Sequence, residues 1–238
     1  MTTGADIIGA ALARVGATHA FGIPGGEVLA LMQGLDAAGL RFVLVKHENG
    51  GGFMAEGLWH MTGALPVLVA TLGPGVANAV NVVEAETYTH QVFDHQALLR
   101  PVVKGSFRLA PGAVGAGMAK AIALATSGQP GPVHVDVPIG VAEGVADEAP
   151  VAGLWTAAAG LPAADGLAAA LAALKAARRP LAIAGVDAVN EAAGPAITAF
   201  CRAHRIPLVT TYKGKGLMPE ADLLCLGGAG LSPKADSI

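Results

Sequence analysis

One stretch indicates the fold of the first half of the chain: Val45-Lys46-His47-Glu48-Asn49-Gly50-Gly51-Gly52-Phe53-Met54-Ala55-Glu56-Gly57. It follows an apolar run, Phe42 to Val45, which predicts a buried strand, and its own apolar positions recur at helical spacing. A carboxylate, Glu48, is therefore expected where a strand passes into a helix. Ligands in open α/β sheets bind at the carboxyl ends of strands, so this position favours a role in ligand handling.

The composition predicts a protein of the cytoplasm with a large buried core. Hydrophobic residues make up 53% of the 238 residues and charged residues 14%, against a usual quarter for charged residues. The net charge of −3 with scattered Lys and Arg argues against nucleic-acid binding. Cys201 and Cys225 form neither a disulfide framework nor a C-x-x-C site. The first residues lack a basic leader, and no apolar run is long enough to predict a membrane span.

Helical and strand patterns alternate along the first 145 residues, which predicts right-handed crossovers and a mostly parallel, doubly wound sheet with helices on both faces. The predicted helices cover 5–15, 28–38, the segment after Glu48, 76–83 and 112–127. The predicted strands cover 18–23, 41–45, 65–71 and 131–138, with Pro101-Val102-Val103 as a further candidate. No strand is predicted between Val83 and Pro101, although a doubly wound sheet would return through one there.

Three of the predicted strand ends carry Gly or Pro breaks: Pro24-Gly25-Gly26, the His47-Glu48 turn and Gly73-Pro74-Gly75. Glycine lets a ligand approach the backbone closely. Together these turns predict one continuous ligand-facing edge.

The remainder of the chain predicts a linker and part of a second α/β domain. Residues 146–164 are rich in Ala, Pro and Gly, and helix and strand patterns alternate again over 165–238. Only two strands are clear there, at 180–185 and 206–210, which is few for an independent parallel domain. The glycines at 227, 228 and 230 do not lie between a clear strand and a helix, so they are weak indicators of a dinucleotide site.

The chemistry suggested by the residues alone stays open between two interpretations of Glu48. A buried carboxylate in a Gly-lined cleft suits proton exchange. A first-turn Glu is also common simply because the helix dipole stabilises it. The chain has no P-loop, zincin or nucleophile-elbow motif, and the residues predict no metal site, since among the histidines only His90 and His95 cluster, with Gln91 between them.

From Ala5 to about Pro138 the chain resembles the N-terminal, pyrimidine-binding domain of thiamine diphosphate-dependent 2-oxo acid enzymes, most closely those of the acetolactate synthase type. Ordered matches carry the resemblance, and the part from about Asp165 resembles the start of the family's central domain. The matches are Phe21-Gly22-Ile23-Pro24-Gly25-Gly26; Lys46-His47-Glu48 with Phe53-Met54-Ala55-Glu56-Gly57; Gly73-Pro74-Gly75 with Asn78; Arg100-Pro101-Val102-Val103-Lys104; and Gly131-Pro132-Val133 with Asp136 and Pro138.

The resemblance implies a site and its occupants. Glu48 would hydrogen-bond N1′ of the aminopyrimidine of thiamine diphosphate and so activate the cofactor for attack on a 2-oxo acid. The pyrimidine pocket and the substrate entrance would be formed by further residues. Those of the pocket are Pro24, Gly25, Gly26, Thr71, Gly73, Gly75 and Asn78, and those of the entrance are His90, Gln91 and Lys104. The resemblance also implies Mg²⁺ with the diphosphate, a homodimer or homotetramer, and no nucleic-acid or membrane partner.

Several departures from the family pattern qualify what the resemblance implies. Three glycines, 50 to 52, weaken the start of the helix by roughly 0.5–1 kcal/mol each relative to Ala. His90 stands where acetolactate synthases usually place Phe, which questions a strict acetolactate assignment: it is either a substrate-binding or proton-transfer group, or simply a partly exposed loop residue. Gly185-Val186-Asp187-Ala188 lacks the Gly run of flavin-binding relatives, which disfavours FAD without deciding it.

Two expected parts of such an enzyme are missing from the sequence. The Gly-Asp-Gly motif that binds the diphosphate and magnesium in the family does not occur, and neither does the domain that carries it. A segment is also expected after Val83. The function predicted is decarboxylation or carboligation of a 2-oxo acid. The alternatives are a relative acting on an acyl-CoA or a sulfonated aldehyde, and a non-catalytic binding or assembly module.

Overall fold

The computed structural model describes residues 1–79, 94–148 and 162–229. These fall into two compact units, divided between Ala158 and Ala159. Both units are built from parallel strands and helices, so the predicted α/β class is confirmed. Among the described residues, no helix is both long and apolar enough to cross a membrane.

The described residues of the first unit form two parallel sheets. The strands of one are β1 (His19–Gly22), β2 (Arg41–Leu44) and β3 (Val67–Val69), in the order β2-β1-β3. The other pairs β4 (Ser106–Arg108) with β5 (His134–Asp136). The helices of this unit are α1 (Gly4–Arg14), α2 (Leu29–Ala37), α3 (Glu48–Thr62), α4 (Pro74–Ala79), α5 (His95–Leu99), α6 (Val114–Thr126) and α7 (Ile139–Glu143).

Local sequence signals account for where the clearest helices begin and end. Thr3 and Asp6 form a reciprocal capping box at the start of α1, which satisfies amide groups that the first turn leaves unpaired. Gly63, with φ of 70°, ends α3 in the left-handed conformation that glycine adopts without strain. The three glycines at 50–52 do not interrupt α3, which runs unbroken from Glu48.

The core of the first unit joins α1, α2, α6 and the strands. Its fully buried side chains include Leu35, Leu40 and Val114, and Val69 of β3 belongs to the same cluster. The strand β2 lies at the edge of its sheet, and Leu44 is 69% exposed. The prediction that the run before Glu48 is a buried strand is therefore right about the strand and wrong about its burial.

Two predictions about strands were wrong. Pro101-Val102-Val103 forms a turn after α5, in which Val102 N–H bonds to Leu99 O at 2.9 Å, and the strand comes later, at β4. In the second unit a third strand, β8 (Cys225–Ala229), pairs with β7 (Leu208–Thr211), which pairs with β6 (Ala182–Ala184). The glycines at 227 and 228 have no side chains, so β8 shows no alternation of apolar and polar residues that would predict a strand.

The helices of the second unit are α8 (Ala164–Ala176), α9 (Val186–Asn190) and α10 (Gly194–His204). Its small core is formed by Ala184, Cys201, Leu208 and Met218. None of the α8 residues is buried. The predicted helix after Val76 is described only to Ala79, and the expected missing segment after Val83 lies outside the described residues.

Candidate active site

Parallel pairing brings the three Gly- or Pro-marked turns to one end of a sheet. In the register of the strands, Gly22 of β1 is paired with Leu44 of β2 on one side and with Val69 of β3 on the other. The chain segments that follow these three residues therefore leave the sheet side by side. The three turns therefore lie at one edge of the sheet, and a ligand bound at this edge stays a prediction.

Glu48 is the first residue of α3, and its side chain is only 4% exposed. The helix is capped by His47, whose Nδ1 accepts from the Asn49 N–H at 3.3 Å while its backbone is extended. An N-terminal helix position favours a negative charge through the helix dipole. The carboxylate is thus held at the carboxyl end of β2 and kept away from solvent.

Asn78 of α4 is the described hydrogen-bond partner of that carboxylate. Its Nδ2 donates to Glu48 Oε2 at 3.0 Å, although the two residues are 30 positions apart. A buried carboxylate without a hydrogen-bond donor would be costly, so this contact helps to keep Glu48 inside. It also fixes which oxygen faces α4.

Glycines form the wall beside Glu48. A Cβ added at Gly75 would lie 3.3 Å from Glu48 Oε1 and 2.7 Å from Thr71 Oγ1. A Cβ added at Gly25 would lie 2.5 Å from Thr71 Cγ2. Both positions exclude a side chain, so the chain here is shaped to let backbone lie against a neighbouring group. The structure thus brings together five of the residues predicted for the site: Gly25, Thr71, Gly75, Asn78 and Glu48.

Glycine also explains why α3 can lie close to the sheet. A Cβ at Gly51 would lie 2.9 Å from Leu68 Cδ1 and 3.4 Å from Phe21 Cβ. At Gly50 and Gly52 a Cβ would meet nothing within 4 Å. Close packing at Gly51 thus offsets part of the low helix propensity of the three glycines. From the sequence alone, these glycines only weaken the helix.

The other predicted site residues are placed differently. Pro24 is exposed, and Gly26 is exposed with open space where its side chain would be. Lys104 donates from Nζ to Ser127 O at 2.6 Å and to Gln129 O at 2.9 Å. His90 and Gln91 lie outside the described residues.

Gly73 contacts a residue that the sequence reasoning did not assign. The amide of Gly73 donates to Nε2 of His95 at 3.2 Å, across 22 positions. The clustering of His95 with His90 and Gln91 was the available signal in the sequence. Behind His95, the ring of His134 lies edge-on with a centroid separation of 6.4 Å. Burial lowers the pKa of His134, and nearby Asp136 acts in the opposite direction.

The arrangement can present one acid to a flat ligand. A buried carboxyl group beside a wall of backbone suits a heteroaromatic ring that stacks close to glycine and accepts or shares a proton at its edge. The residues present therefore fit the aminopyrimidine half of thiamine diphosphate. Within ranges 1–79, 94–148 and 162–229, no group of three His, Cys, Asp or Glu side chains is arranged to hold a metal ion.

Two family models match the chain. Residues 2–92 match the N-terminal TPP binding domain of thiamine pyrophosphate enzymes, and residues 167–237 match the central domain of the same enzymes. The matched central-domain region contains β6, β7 and β8.

Individual relatives agree with the family models. The chain is 35% identical to a probable 2-ketoarginine decarboxylase of Pseudomonas aeruginosa, over 87% of the chain and 41% of that protein. It is 29% identical to an acetolactate synthase of Bacillus subtilis, over 90% of the chain and 41% of the relative. It is 31% identical to the acetolactate synthase large subunit of Corynebacterium glutamicum, over 96% of the chain and 41% of the relative.

The coverage figures show how much of such a protein is present. The chain spans about two fifths of the length of the curated relatives it matches. The alignment with the Corynebacterium protein runs over 259 positions, more than the 238 residues of the whole chain, so the relative has residues within the matched region that this chain lacks. The domain matches and the relatives agree, and the chain belongs to the thiamine pyrophosphate enzyme family.

Proposed function

We propose that this chain is the cofactor-activating part of a thiamine diphosphate-dependent enzyme that decarboxylates or ligates a 2-oxo acid. The observation that carries the proposal is the Glu48 carboxylate, 4% exposed, bonded to Asn78 and facing the backbone of Gly75. Thiamine diphosphate, when bound, supplies the carbanion chemistry at the 2-oxo acid. The named relatives include synthases and a decarboxylase, which supports this reaction class.

Each residue of the site has a separate task in this proposal. Glu48 holds a proton at its carboxyl group and shares it with the pyrimidine edge. Asn78 orients the carboxyl group by donating to Oε2. Gly25 and Gly75 let their backbone lie directly against Thr71 and Glu48, since neither position admits a side chain. The Thr71 side chain lies against both glycines: Cβ atoms added at Gly25 and Gly75 would lie 2.5 Å from its Cγ2 and 2.7 Å from its Oγ1.

A substrate entrance beside the pyrimidine pocket is also proposed. His90, Gln91 and Lys104 remain proposed entrance residues. Lys104 would have to exchange the carbonyl oxygens of Ser127 and Gln129 for a substrate carboxylate. Magnesium and the diphosphate group would be bound by residues other than those described, and FAD is not part of the proposal. A homodimer or homotetramer in the cytoplasm stays a prediction, and sedimentation of the purified protein is the direct test of the oligomeric state.

Glu48→Gln in the full-length gene product tests the proposed role. Gln keeps the shape and a hydrogen-bond acceptor but cannot exchange a proton, so the C2 proton of bound thiamine diphosphate should exchange at least about 100-fold more slowly, as for loss of a general acid-base group. Proton NMR of the cofactor in deuterated buffer measures the rate. The control is Glu56→Gln, a change on the same helix at a solvent-exposed Glu paired with His60.

The outcomes separate the possible functions. Unchanged exchange in Glu48→Gln contradicts the role of this carboxylate. If calorimetry shows that the wild-type protein binds no thiamine diphosphate with magnesium, the enzyme proposal fails and a binding or assembly module replaces it. Turnover of an acyl-CoA or a sulfonated aldehyde, but of no 2-oxo acid, would retain Glu48 chemistry and correct the substrate class.

A further inference from the structure

The turn Gly73-Pro74-Gly75 connects the end of β3 to the helix that carries Asn78. Gly73 has φ of 70°, and its carbonyl accepts from the Ala77 N–H at 3.0 Å, which closes the first turn of α4. Its N–H points the other way and donates to His95 Nε2 at 3.2 Å. Gly73 therefore joins His95 to α4 through its two backbone groups.

His95 is held from two sides. It is the first residue of α5, where Asp94 Oδ1 accepts from the Ala97 N–H at 2.9 Å and anchors the helix start. The ring of His134 contacts it edge-on, and His134 Nδ1 is itself 2.7 Å from Ser106 Oγ. Nε2 can accept from Gly73 only as an unprotonated nitrogen, which places the ring proton of neutral His95 on Nδ1.

We propose that His95 is a positioning residue that holds the Gly73-Pro74-Gly75 turn, and through it Asn78, against Glu48. Three hydrogen bonds connect His95 to Glu48. Nε2 of His95 accepts from the Gly73 N–H, the Gly73 carbonyl accepts from the Ala77 N–H in the first turn of α4, and Asn78 of α4 donates to Glu48 Oε2. Gly75 lies in the same segment, and a Cβ added to it would be close to both Thr71 and Glu48. A shift of the turn would move the wall and the Asn78 donor together.

The meaning of this contact for cofactor binding depends on the proposed function, whereas the contact itself is measured without any cofactor. Two variants whose new side chains have similar lengths distinguish the contribution of the hydrogen bond from that of side-chain packing. His95→Gln keeps an acceptor that can take the place of Nε2, and His95→Met removes the acceptor while filling similar space. Neither has a ring, so changes in ring current are the same in both.

The sequence allows Gly73 to be observed almost alone. Leu72-Gly73 and Leu226-Gly227 are the Leu-Gly pairs of the chain. Labelling leucine with ¹³C at the carbonyl and glycine with ¹⁵N, followed by a carbonyl-selected NMR experiment, therefore gives signals from Gly73 and Gly227. Gly227 lies in β8 of the other unit and serves as an internal control. Selective ¹⁵N labelling of asparagine reports on Asn78, whose side-chain signal is identified by its loss in Asn78→Asp.

The expected result is that the Gly73 amide exchanges with deuterated water about tenfold faster in His95→Met, the upper end of what one hydrogen bond contributes. The Asn78 side-chain amide signal should shift in the same variant. Both readouts should stay near wild type in His95→Gln, and Gly227 should not change in any of them. Equal behaviour of the Gln and Met variants, or an unchanged Asn78 signal in His95→Met, would overturn the proposal.

A measurement on the wild-type chain gives a second test that no folding defect can confuse. An N–H···N hydrogen bond transmits a spin coupling between its two nitrogens, here Gly73 N and His95 Nε2. Detecting this coupling supports the proposal, and its absence in a well-resolved spectrum overturns it. Failure of thiamine diphosphate to bind would overturn the proposed function and leave this result intact, so the two are distinguishable.

Discussion

Adding one methyl group at Gly25 should test the close approach on which the proposed pocket depends. The added Cβ would lie 2.5 Å from Thr71 Cγ2 and 3.2 Å from Glu27 Oε2. Carbon atoms in good contact are about 3.5–4.0 Å apart, so the methyl groups of Ala and Thr would overlap by about 1 Å. Glu27 can turn aside, whereas the β-branched Thr71 side chain is stiff at χ1.

The size of the effect follows from two opposing contributions. Overpacking of this kind costs about 1–3 kcal/mol. The backbone of Gly25, with φ of −146° and ψ of 165°, suits alanine, so restricting the unfolded chain returns about 0.4–1 kcal/mol. With the middle value of each range, Gly25→Ala should therefore lower the free energy of unfolding by about 1.3 kcal/mol. Gly26→Ala, with nothing within 4 Å of its Cβ, should instead raise it by about 0.4–1 kcal/mol through the same restriction of the unfolded chain.

Urea unfolding followed by circular dichroism measures these differences, provided the slope of the transition is unchanged between variants. Thr71→Ser removes the methyl group that the added Cβ would strike. In a double-mutant cycle, Gly25→Ala should cost clearly less in the Thr71→Ser background than in wild type. Equal unfolding free energies for Gly25→Ala and Gly26→Ala, or additive effects in the cycle, would refute the close approach of the two turns.

Two further predictions concern ionisable side chains. Because the pKa of His134 is lowered by burial, its neutral form is favoured in the folded chain. The unfolding free energy should therefore fall as pH drops below about 6.5, where the unfolded chain binds the proton first. His134→Gln should flatten this pH dependence in urea titrations at several pH values. A steeper slope in the variant would contradict this sign. Cys201 is 0% exposed, and burial raises the pKa of its thiol. A thiol reagent should therefore label the partly exposed Cys225 in the native chain and Cys201 only after unfolding. Rapid native labelling of Cys201, detected by peptide mass spectrometry, would contradict this prediction.

Much of the fold follows from local patterns. Capping residues, apolar spacing and the glycines that end helices are properties of a few neighbouring positions, which is why α1 and α6 were predicted to within a few residues. Strands without such patterns were missed. Ser106–Arg108 is short and only half-buried, and Cys225–Ala229 contains two glycines, so neither strand shows an alternation of apolar and polar side chains.

The sequence by itself determined the turn that carries Glu48, because the strand before it and the helix after it are each specified by their own residues. It also placed Gly25, Thr71 and Gly75 at or just beyond strand ends, and Asn78 in the helix that follows. Only the tertiary structure decided that these residues meet, that Asn78 donates to Glu48, and that His95 binds Gly73. Those contacts depend on parallel strand register and helix packing across 22 or 30 positions, and a distance between such remote residues is set by the whole sheet rather than by any local run of sequence.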